Sequence, residues 1–339
     1  MGQRRRFSFR DAVVITAIGC IAFLLLGSFL LRTNVEANRT RSQNNLRHIS
    51  IAIQNYHDGN NQRFPLLCDH GLNSMTRQGY AGLFFVILPQ VECGDVYNRF
   101  QLENPASYYE GPNAPSRVDY HHVYVSPNDP HSDDTKLASM EVVNSGTRAP
   151  FLERFSGQYA TSSYVANGSL FRPGTGVRDV TDGISHTIML TERYRACQRS
   201  ENPDDVVYNC WALGAYSAST PSFATPLPDD KEYPTAHPLM EQFVPPTSVR
   251  ETGDITGRTG NKEINYSAIA KSANAPSGFQ VVPQSGCDPR IPQALQTAGL
   301  LVVKADCSTS TFPAHMSSNV FWAIVTPAGN EDFPYMTCD

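Results

Sequence analysis

The stretch AVVITAIGCIAFLLLGSFLL, residues 12–31, contains twenty residues and no charged side chain. In an α-helix, twenty residues span about 30 Å, which matches the hydrocarbon core of a bilayer. Arginines precede this stretch at positions 4, 5, 6 and 10. Because positive charge favours the cytoplasmic side of a membrane, we expect a single transmembrane helix with a cytoplasmic N-terminus.

The apolar segment differs from a cleaved signal peptide. Its length exceeds the roughly 7–15 apolar residues of a signal peptide, and no A-x-A cleavage site follows it. Arg32 comes next, and then the polar stretch 34–43. We therefore expect a retained anchor.

The predicted helix continues beyond the bilayer. Residues 32–58 contain neither proline nor glycine, and the motif Asp-Gly-Asn-Asn at 58–61 predicts the end of the helix. A helix over residues 8–58 would be about 75 Å long. Its apolar residues beyond the membrane share one side, with a spacing of three and four: Leu46, Ile49, Ile53 and Tyr56. This second half is expected to pack against a globular head.

The rest of the chain is predicted to form a β-rich head. β-branched and aromatic residues are frequent after residue 64, and the 23 glycines and 24 prolines of the chain indicate many turns. Asn167-Gly168 predicts the turn of a hairpin. We predict strands at residues 119–125, 159–166, 169–171, 187–190, 211–213 and 300–303. Residues 91–102 are expected to form a short helix, whereas 82–89 and 320–325 fit either a strand or a short helical segment.

Charge and cysteine content restrict the class of partner. The net charge of −5 argues against nucleic acid as a partner, because nucleic-acid-binding proteins present a basic face. Seven of the eight cysteines lie outside the apolar helix, and no C-x-x-C spacing predicts a zinc site. Disulfides are expected if the head lies outside the cytoplasm. Cys197 with Cys210 is the favoured pair, since a separation of thirteen residues suits loop closure; buried reduced cysteines are the alternative.

No catalytic motif is present in the sequence. We find no H-E-x-x-H, no G-x-S-x-G and neither of the glycine-rich nucleotide-binding patterns. Asp179, Asp182 and Gly183 lack the spacing of an EF-hand, and turn chemistry explains them without a metal. His121 and His122 would point to opposite faces of a strand and could not readily share one ion. We expect no catalytic residue, no metal and no cofactor.

The N-terminal layout resembles that of type IV prepilins and type II secretion pseudopilins. The shared features are an arginine-rich leader, then Phe7, then the acidic Asp11 and the apolar helix. Downstream, the chain resembles a large prepilin-like family of unknown function that is abundant in planctomycete bacteria. The matching stretches are residues 44–49, 55–58 with 63–65, 88–92 with 97–98, 162–165 with 167–168, 179–192, 305–308 and 326–331. Residues 193–298 match poorly.

The resemblance implies an α+β, pilin-like fold. One long N-terminal helix, transmembrane in its first half, would pack on an antiparallel β-rich head. The implied parts are a basic cytoplasmic leader (1–6), a transmembrane prepilin-type helix (7–31), its amphipathic continuation (32–60) and an extracytoplasmic head (61–339) with a loop-rich insertion at about 193–298.

The resemblance also implies a processing and assembly site at Arg6, Phe7 and Asp11. The prepilin peptidase normally cuts between a glycine and the phenylalanine, but here Arg6 precedes Phe7. The usual acidic residue is glutamate, which meets the freed amine of a neighbouring subunit; here it is Asp11. The alternative role for Asp11 is an interfacial carboxylate paired with Arg10.

Three other positions depart from the family pattern. Ser42 and Ser126 fall where many relatives have cysteines, so a bridge implied for those relatives is missing here. Ala305-Asp306-Cys307-Ser308 stands where the family usually has Asp-Gly-Ser.

The function implied by the resemblance is structural and not enzymatic. The chain would be a pilin- or pseudopilin-like protein of the bacterial cell envelope, anchored in the inner membrane, with its head periplasmic or extracellular. Its partners would be the lipid bilayer and other pilin-like subunits or envelope proteins. The alternative is a stalked ligand-binding module in which the Trp211 region and residues 217–298 shape a carbohydrate or peptide site. An envelope hydrolase, a third hypothesis, would need a His/Ser/Asp cluster formed only in space.

Overall fold

The structure of the protein is a computed structural model. It describes residues 9–67, 82–98, 122–130, 137–142, 155–171, 174–198, 201, 206–212, 220–224, 256–259, 262–265, 278–282, 286–289 and 291–328. "Head" denotes the described residues that follow the first helix.

The described helices lie at the start, in the middle and near the end of the chain. The α-helices are α1 (Phe9–Gly59), α2 (Leu83–Val86), α3 (Gly94–Asn98) and α4 (Ser318–Val325). Short 3-10 turns are Leu88–Val91, His122–Tyr124 and Val177–Asp179.

The described strands are short and most of them follow α3. They are β1 (Leu137–Val142), β2 (Phe155–Ala160), β3 (Tyr164–Asn167), β4 (Ile188–Glu192), β5 (Ala196–Gln198), β6 (Val206–Tyr208), β7 (Ser222–Phe223), β8 (Thr256–Thr259), β9 (Lys262–Asn265), β10 (Gln280–Val281), β11 (Gln293–Ala294), β12 (Leu300–Lys304) and β13 (Thr309–Phe312).

The first helix is continuous over 51 residues. Its end coincides with Gly59, after which Asn61 and Gln62 adopt the left-handed conformation at φ 56° and 57°. The amides of Asn60 and Gln62 both donate to the carbonyl of His57, which reverses the chain toward the head. Within the parts of the chain that the structure describes, no helix is both long and apolar enough to cross a membrane.

A five-stranded sheet forms the centre of the head. Its strand order is β13-β12-β4-β3-β7, antiparallel except for the parallel pair β3–β7. The strand predicted at residues 300–303 is confirmed as β12, and the one predicted at 187–190 is confirmed as β4 with a shift of its bounds. Tyr164 of β3 pairs with Glu192 of β4, and Leu301 of β12 pairs with Thr311 of β13.

The sheet lies between two helices, each covering one face. The face toward α1 forms a core with helix residues Leu46, Ile49 and Ile53, with Leu301 and with Val303. The opposite face forms a second core with α4, in which the members are Val165, Ile188, Leu300, Val302, Phe321 and Val325. Because β12 contributes to both cores, its side chains are almost all buried, as the apolar composition of residues 300–303 predicts.

An aromatic cluster fills the space between α1, α2 and the sheet. Trp211 is fully buried and stacks on Phe85, with 6.3 Å between ring centroids. Tyr124 packs edge-on against Phe84 at 5.2 Å, and its hydroxyl donates to the Phe84 carbonyl at 2.6 Å. Burial raises the pKa of Tyr124 well above its ordinary value, so this phenol stays a donor.

Three strand predictions are wrong within the described residues. Residues 122–124 form a 3-10 turn, 168–171 form turns, and 211–212 form a turn next to a single bridge between Thr161 and Cys210. Residues 119–121 and 213 lie outside the described residues. The predicted hairpin at Asn167 fails because its side chain donates to the carbonyls of Ile188 and Val325, which ends β3 and turns the chain away from the sheet.

The two ambiguous segments both resolve as helix. Residues 83–86 form α2, and 318–325 form α4. The short helix expected within 91–102 is confirmed as α3, and the residues beyond 98 lie outside the described part.

Candidate functional site at the helix–head junction

Two of the three residues of the predicted processing and assembly site lie outside the described residues, namely Arg6 and Phe7. Asp11 falls within α1, and its side chain is outside what the structure describes. The role of these residues therefore remains a prediction, and the site built below is the junction at which α1 docks on the head.

The docked part of α1 presents two successive layers to the head. Nearest the apolar segment is the polar layer, which we define as Arg39, Ser42 and Asn45. Beyond it is the apolar layer, in which the members are Leu46, Ile49, Ala52 and Ile53, all 0% exposed. Both layers arise from the spacing of three and four residues that places side chains on one face of a helix.

The polar layer reaches across the head from a loop to the edge strand. The hydroxyls of Ser42 and Ser126 are 2.6 Å apart and buried. The Asn45 amide donates to the hydroxyl of Tyr164 at 3.3 Å. At the other side, the Arg39 guanidinium donates to Oγ1 of Thr311 at 2.7 Å. Since each bond joins α1 to a different segment of the head, together they fix the position of the helix along the sheet.

Ser42 and Ser126, the two positions where many relatives are expected to have cysteines, are in contact in the structure. These positions, 84 residues apart in sequence, meet side chain to side chain in the buried junction. Cysteines at both positions would bring two thiols close enough for the roughly 2.05 Å bond of a disulfide. The hydrogen bond between the two serines thus occupies the place of the bridge implied for relatives.

We predict that the double variant Ser42→Cys, Ser126→Cys forms a disulfide under mild oxidation. The bond closes a loop of 84 residues, so we expect it to stabilise the fold by about 2–4 kcal/mol. Peptide mapping of the oxidised protein identifies the bridge, and the urea midpoint with and without reductant measures its effect. Each single variant serves as a control. If both thiols can still be fully alkylated after the oxidation step, no disulfide has formed and the geometry is contradicted.

A buried carboxyl group lies under the polar layer. Glu192 is 3% exposed and sits in the sheet beside Tyr164. Its pKa is raised to about 8, chiefly by burial and to a smaller extent by the charge of Asp129, whereas backbone hydrogen bonds from Leu295 and Leu301 and the charge of Arg39 lower it. Glu192 is therefore mostly protonated at neutral pH in the folded protein.

Asp129 is a second buried acid on the same side of the head. It is 2% exposed, and its Oδ2 accepts hydrogen bonds from the Ser163 hydroxyl at 2.9 Å and from the backbone amide of Arg195 at 3.0 Å. The Nε of Arg195 donates to Thr161 at 2.7 Å. The two bonds of Asp129 tie the 122–130 segment to Ser163, just before β3, and to Arg195, just after β4.

A buried arginine joins the sheet to the insertion. Arg193 follows Glu192 and is 1% exposed. Its guanidinium donates to four acceptors, which are the carbonyls of Thr220, Ser222 and Pro289 and the side-chain oxygen of Asn209. Burial lowers its pKa to about 9, which leaves it charged at neutral pH.

A disulfide reinforces the same connection, and it corrects the predicted pairing. Cys197 is bonded to Cys287 and not to Cys210. The register of β5 and β6 places Cys197 opposite Val207, so Cys210 lies beyond that pairing, where it is buried near Arg193. The amide of Cys287 donates to the carbonyl of Gln198, which brings the returning end of the insertion alongside β5. Sequence separation alone cannot reveal such a pairing across 90 residues.

We predict that Arg193→Met destabilises the fold by about 3–5 kcal/mol, because buried acceptors lose their donors. Arg193→Lys should lose less, since an ammonium keeps the charge but cannot reach all four acceptors. Urea midpoints measure both effects. The control is the exposed Arg178→Met, and equal losses at Arg193 and Arg178 would show the inference wrong.

The far end of α1 contacts the head through His57. Its Nε2 accepts from the amide of Val177 at 3.4 Å, its Nδ1 lies 3.1 Å from Asp58, and its ring packs on Phe64 at 5.1 Å. Gly176 approaches the Gln62 carbonyl so closely that no side chain would fit between them. The structure thus brings together the motifs at 55–58 and 63–65 with residues 176–177 around one helix end.

The acidic and histidine motifs have structural roles in the described residues. Asp179 accepts from the Gly176 amide at 2.8 Å, which is turn chemistry, and Gly183 has φ 97° in the turn that follows. His122 is exposed, and its carbonyl accepts from Asn45 at 3.4 Å; His121 lies outside the described residues. Across the described residues, no group of three His, Cys, Asp or Glu side chains could hold a metal ion.

The turn between β12 and β13 shows why the family usually has glycine at the position of Cys307. Cys307 has φ 64°, a left-handed conformation that glycine adopts without steric cost. Asp306 accepts from the amide and the hydroxyl of Ser308, and Gln54 of α1 donates to the Ala305 carbonyl at 2.7 Å. Burial raises the pKa of the Cys307 thiol, and Ser50 hydrogen-bonds to it. A glycine at 307 would relieve the strain.

We predict that Cys307→Gly is more stable than Cys307→Ala by about 1 kcal/mol, because both lack the thiol but only alanine keeps the Cβ that strains the turn. Thermal or urea unfolding of the two variants measures the difference. A Gly variant less stable than the Ala variant would exclude strain at this position.

Sequence reasoning missed three buried charged residues of the head, namely Asp129, Glu192 and Arg193. A usable signal was present for two of them. The run Thr187–Leu190 is apolar enough to be a central strand, and a Glu-Arg pair directly after such a strand is expected to be buried or at its edge. Asp129 lies in a polar, proline-containing stretch that offers no such signal.

Comparison with known protein families identifies a match over most of the chain. The family model described as "Protein of unknown function (DUF1559)" matches residues 36–311. Comparisons with curated proteins and with solved structures found no significant match. The matched range includes the docked half of α1, the sheet and the turn at Cys307.

Proposed function

The chain belongs to the DUF1559 family of proteins of unknown function, and we propose that it is a membrane-anchored, pilin-like structural protein of the bacterial cell envelope. The observation that carries the proposal is the set of exposed apolar side chains in the first part of α1, at residues 9 and 13–23. Phe9, Ile18 and Phe23 are 85%, 61% and 77% exposed. A continuous apolar surface of this kind requires cover, and the uncharged stretch 12–31 has the length of a bilayer core.

Two further features support the orientation in this proposal. Basic residues cluster before the apolar stretch, which favours a cytoplasmic N-terminus. The disulfide Cys197–Cys287 favours an oxidising compartment for the head. The protein would therefore cross the inner membrane once, with its head periplasmic or extracellular.

A structural role is supported by how the junction and the rest of the head use their polar groups. Ser42, Asn45, Asp129 and Arg193 all bond to other parts of the same chain and hold segments together. The proposal therefore assigns the head no catalytic residue and no cofactor. The stalked ligand-binding alternative remains a prediction, and Trp211, one of the features that suggested it, lies fully buried in the core.

Retention in the membrane tests the anchor. Ile21 and Phe23 lie near the middle of the apolar stretch and are 58% and 77% exposed. Lysine at both positions should cost roughly 5–7 kcal/mol of insertion free energy. We expect the unmodified chain to stay in the pellet after alkaline carbonate extraction of membranes, and Ile21→Lys, Phe23→Lys to be released.

The matched control for this prediction uses the other half of the same helix. Val35 and Ile51 are 53% and 42% exposed, so lysines there add the same charge outside the apolar stretch. The variant Val35→Lys, Ile51→Lys should remain in the pellet. Release of both double variants, or of neither, would argue against an anchor at residues 12–31.

The finer proposal is that the protein is a subunit of a secretion- or pilus-like assembly with other pilin-like subunits or envelope proteins. Its test is the mature N-terminus, determined by mass spectrometry on protein from the native membrane. An N-terminus at Phe7 supports incorporation into an assembly, with Asp11 available to meet a neighbouring amine. An intact Met1 supports a permanent anchor and removes the basis for the assembly role.

A further inference from the structure

Glu192 lies in the sheet between two contacts that α1 makes with it. Strand β4 lies between β3 and β12, and β12 lies beside β13. Tyr164 of β3 contacts Asn45 of the helix, while Thr311 of β13 contacts Arg39. Glu192 therefore lies between the two points at which the polar layer of α1 touches the sheet.

The groups around Glu192 come from every element packed against it. Arg39 faces it from α1, Asp129 from the 122–130 segment, and Tyr164 from β3. The backbone amides of Leu295 and Leu301 hydrogen-bond to its carboxyl group. Among these groups, Arg39 is the one cation, and its guanidinium donates to Thr311.

A charge on Glu192 would be costly in this arrangement. The carboxyl group is 3% exposed, and Asp129 is 2% exposed on the same side of the head. A buried carboxylate next to another acid is stabilised when water can reach it. The smallest movement that admits water is separation of the polar layer from the sheet, because the apolar layer beyond it is held by fully buried side chains.

We propose that Glu192 is a charge-sensitive switch for the helix–head junction. When Glu192 is neutral, residues 39–45 of α1 lie on the sheet. When it is ionised, those residues detach while Leu46 to Ile53 stay docked. The stalk is then held to the head along both layers in acid and along the apolar layer alone at alkaline pH. This inference does not depend on whether α1 is a membrane anchor.

The direction of the pH effect follows from the pKa of Glu192. The docked form has a pKa of about 8, against an ordinary value of 4.5. Between these values the docked form holds a proton that the detached form has released. Docking is therefore strongest below pH 4.5, weakens as the pH rises, and levels off above about pH 8. Each pH unit in this window changes the detached population by up to about tenfold.

Thiol accessibility at position 42 tests the proposal on the full chain in detergent micelles. Ser42 is buried in the polar layer, so in Ser42→Cys the rate of reaction with a charged thiol reagent reports detachment. Peptide mass spectrometry separates this site from the native cysteines. Rates are divided by those of Ala37→Cys, an exposed site on the same helix, which removes the pH dependence of the thiol itself.

We expect the normalised rate of Ser42→Cys to rise by at least about tenfold between pH 5.5 and 8.5. The control is Ile49→Cys, because Ile49 is 0% exposed in the apolar layer and a thiol there should stay protected throughout. Adding Glu192→Gln to Ser42→Cys should abolish the rise. An equal rise in Ile49→Cys, or a rise in Ser42→Cys that persists with Glu192→Gln, would overturn the proposal.

Two neighbouring charges give a test with opposite signs, which a merely loosened fold would not reproduce. Asp129 raises the pKa of Glu192 and Arg39 lowers it. In the Ser42→Cys background, Asp129→Asn should therefore shift the plateau of thiol reactivity to lower pH, and Arg39→Gln should shift it to higher pH. Both replacements introduce a neutral side-chain amide that can still form hydrogen bonds. Shifts in the same direction would exclude charge on Glu192 as the cause.

Discussion

The structure depends on the docking of one side of α1 against the central sheet. Leu46, Ile49 and Ile53 form one buried core with Leu301 and Val303 of β12. Removing the helix would expose this face of β12 to water, at a cost set by its apolar area. The head is therefore not a separate unit from α1, because Leu46, Ile49, Ala52 and Ile53 of the helix are members of its core.

The two layers of the junction have different roles, because one contributes the free energy of docking and the other fixes the position of the helix. The apolar layer contributes most of the free energy, since its side chains are fully buried. Hydrogen bonds of Ser42 and Asn45 add little net free energy but are costly to leave unmade, so they permit one position of the helix and disfavour sliding along the sheet. In the proposed switch, the contact of the polar layer with the sheet depends on the charge of Glu192.

The side of the head away from the junction is organised by Arg193 and by the disulfide Cys197–Cys287. Arg193 bonds to carbonyls at 220–222 and 289, where the insertion leaves and returns. A long excursion between such points costs the fold little, because the entropy of closing a loop grows slowly with its length. The region between these points still belongs to the core, since β7 (Ser222–Phe223) is a strand of the central sheet.

The sequence by itself determined the elements whose physical cause is local. Spacing predicted the docked face of α1, and composition predicted β12 as a buried strand. Asn167 and Cys197 show where local reasoning stops, because the partners of Asn167 are carbonyls at 188 and 325, and that of Cys197 is 90 residues away. Only the tertiary structure could place Glu192 near Asp129 and Arg39, since burial and charge at one point come from strands and a helix that are distant in sequence.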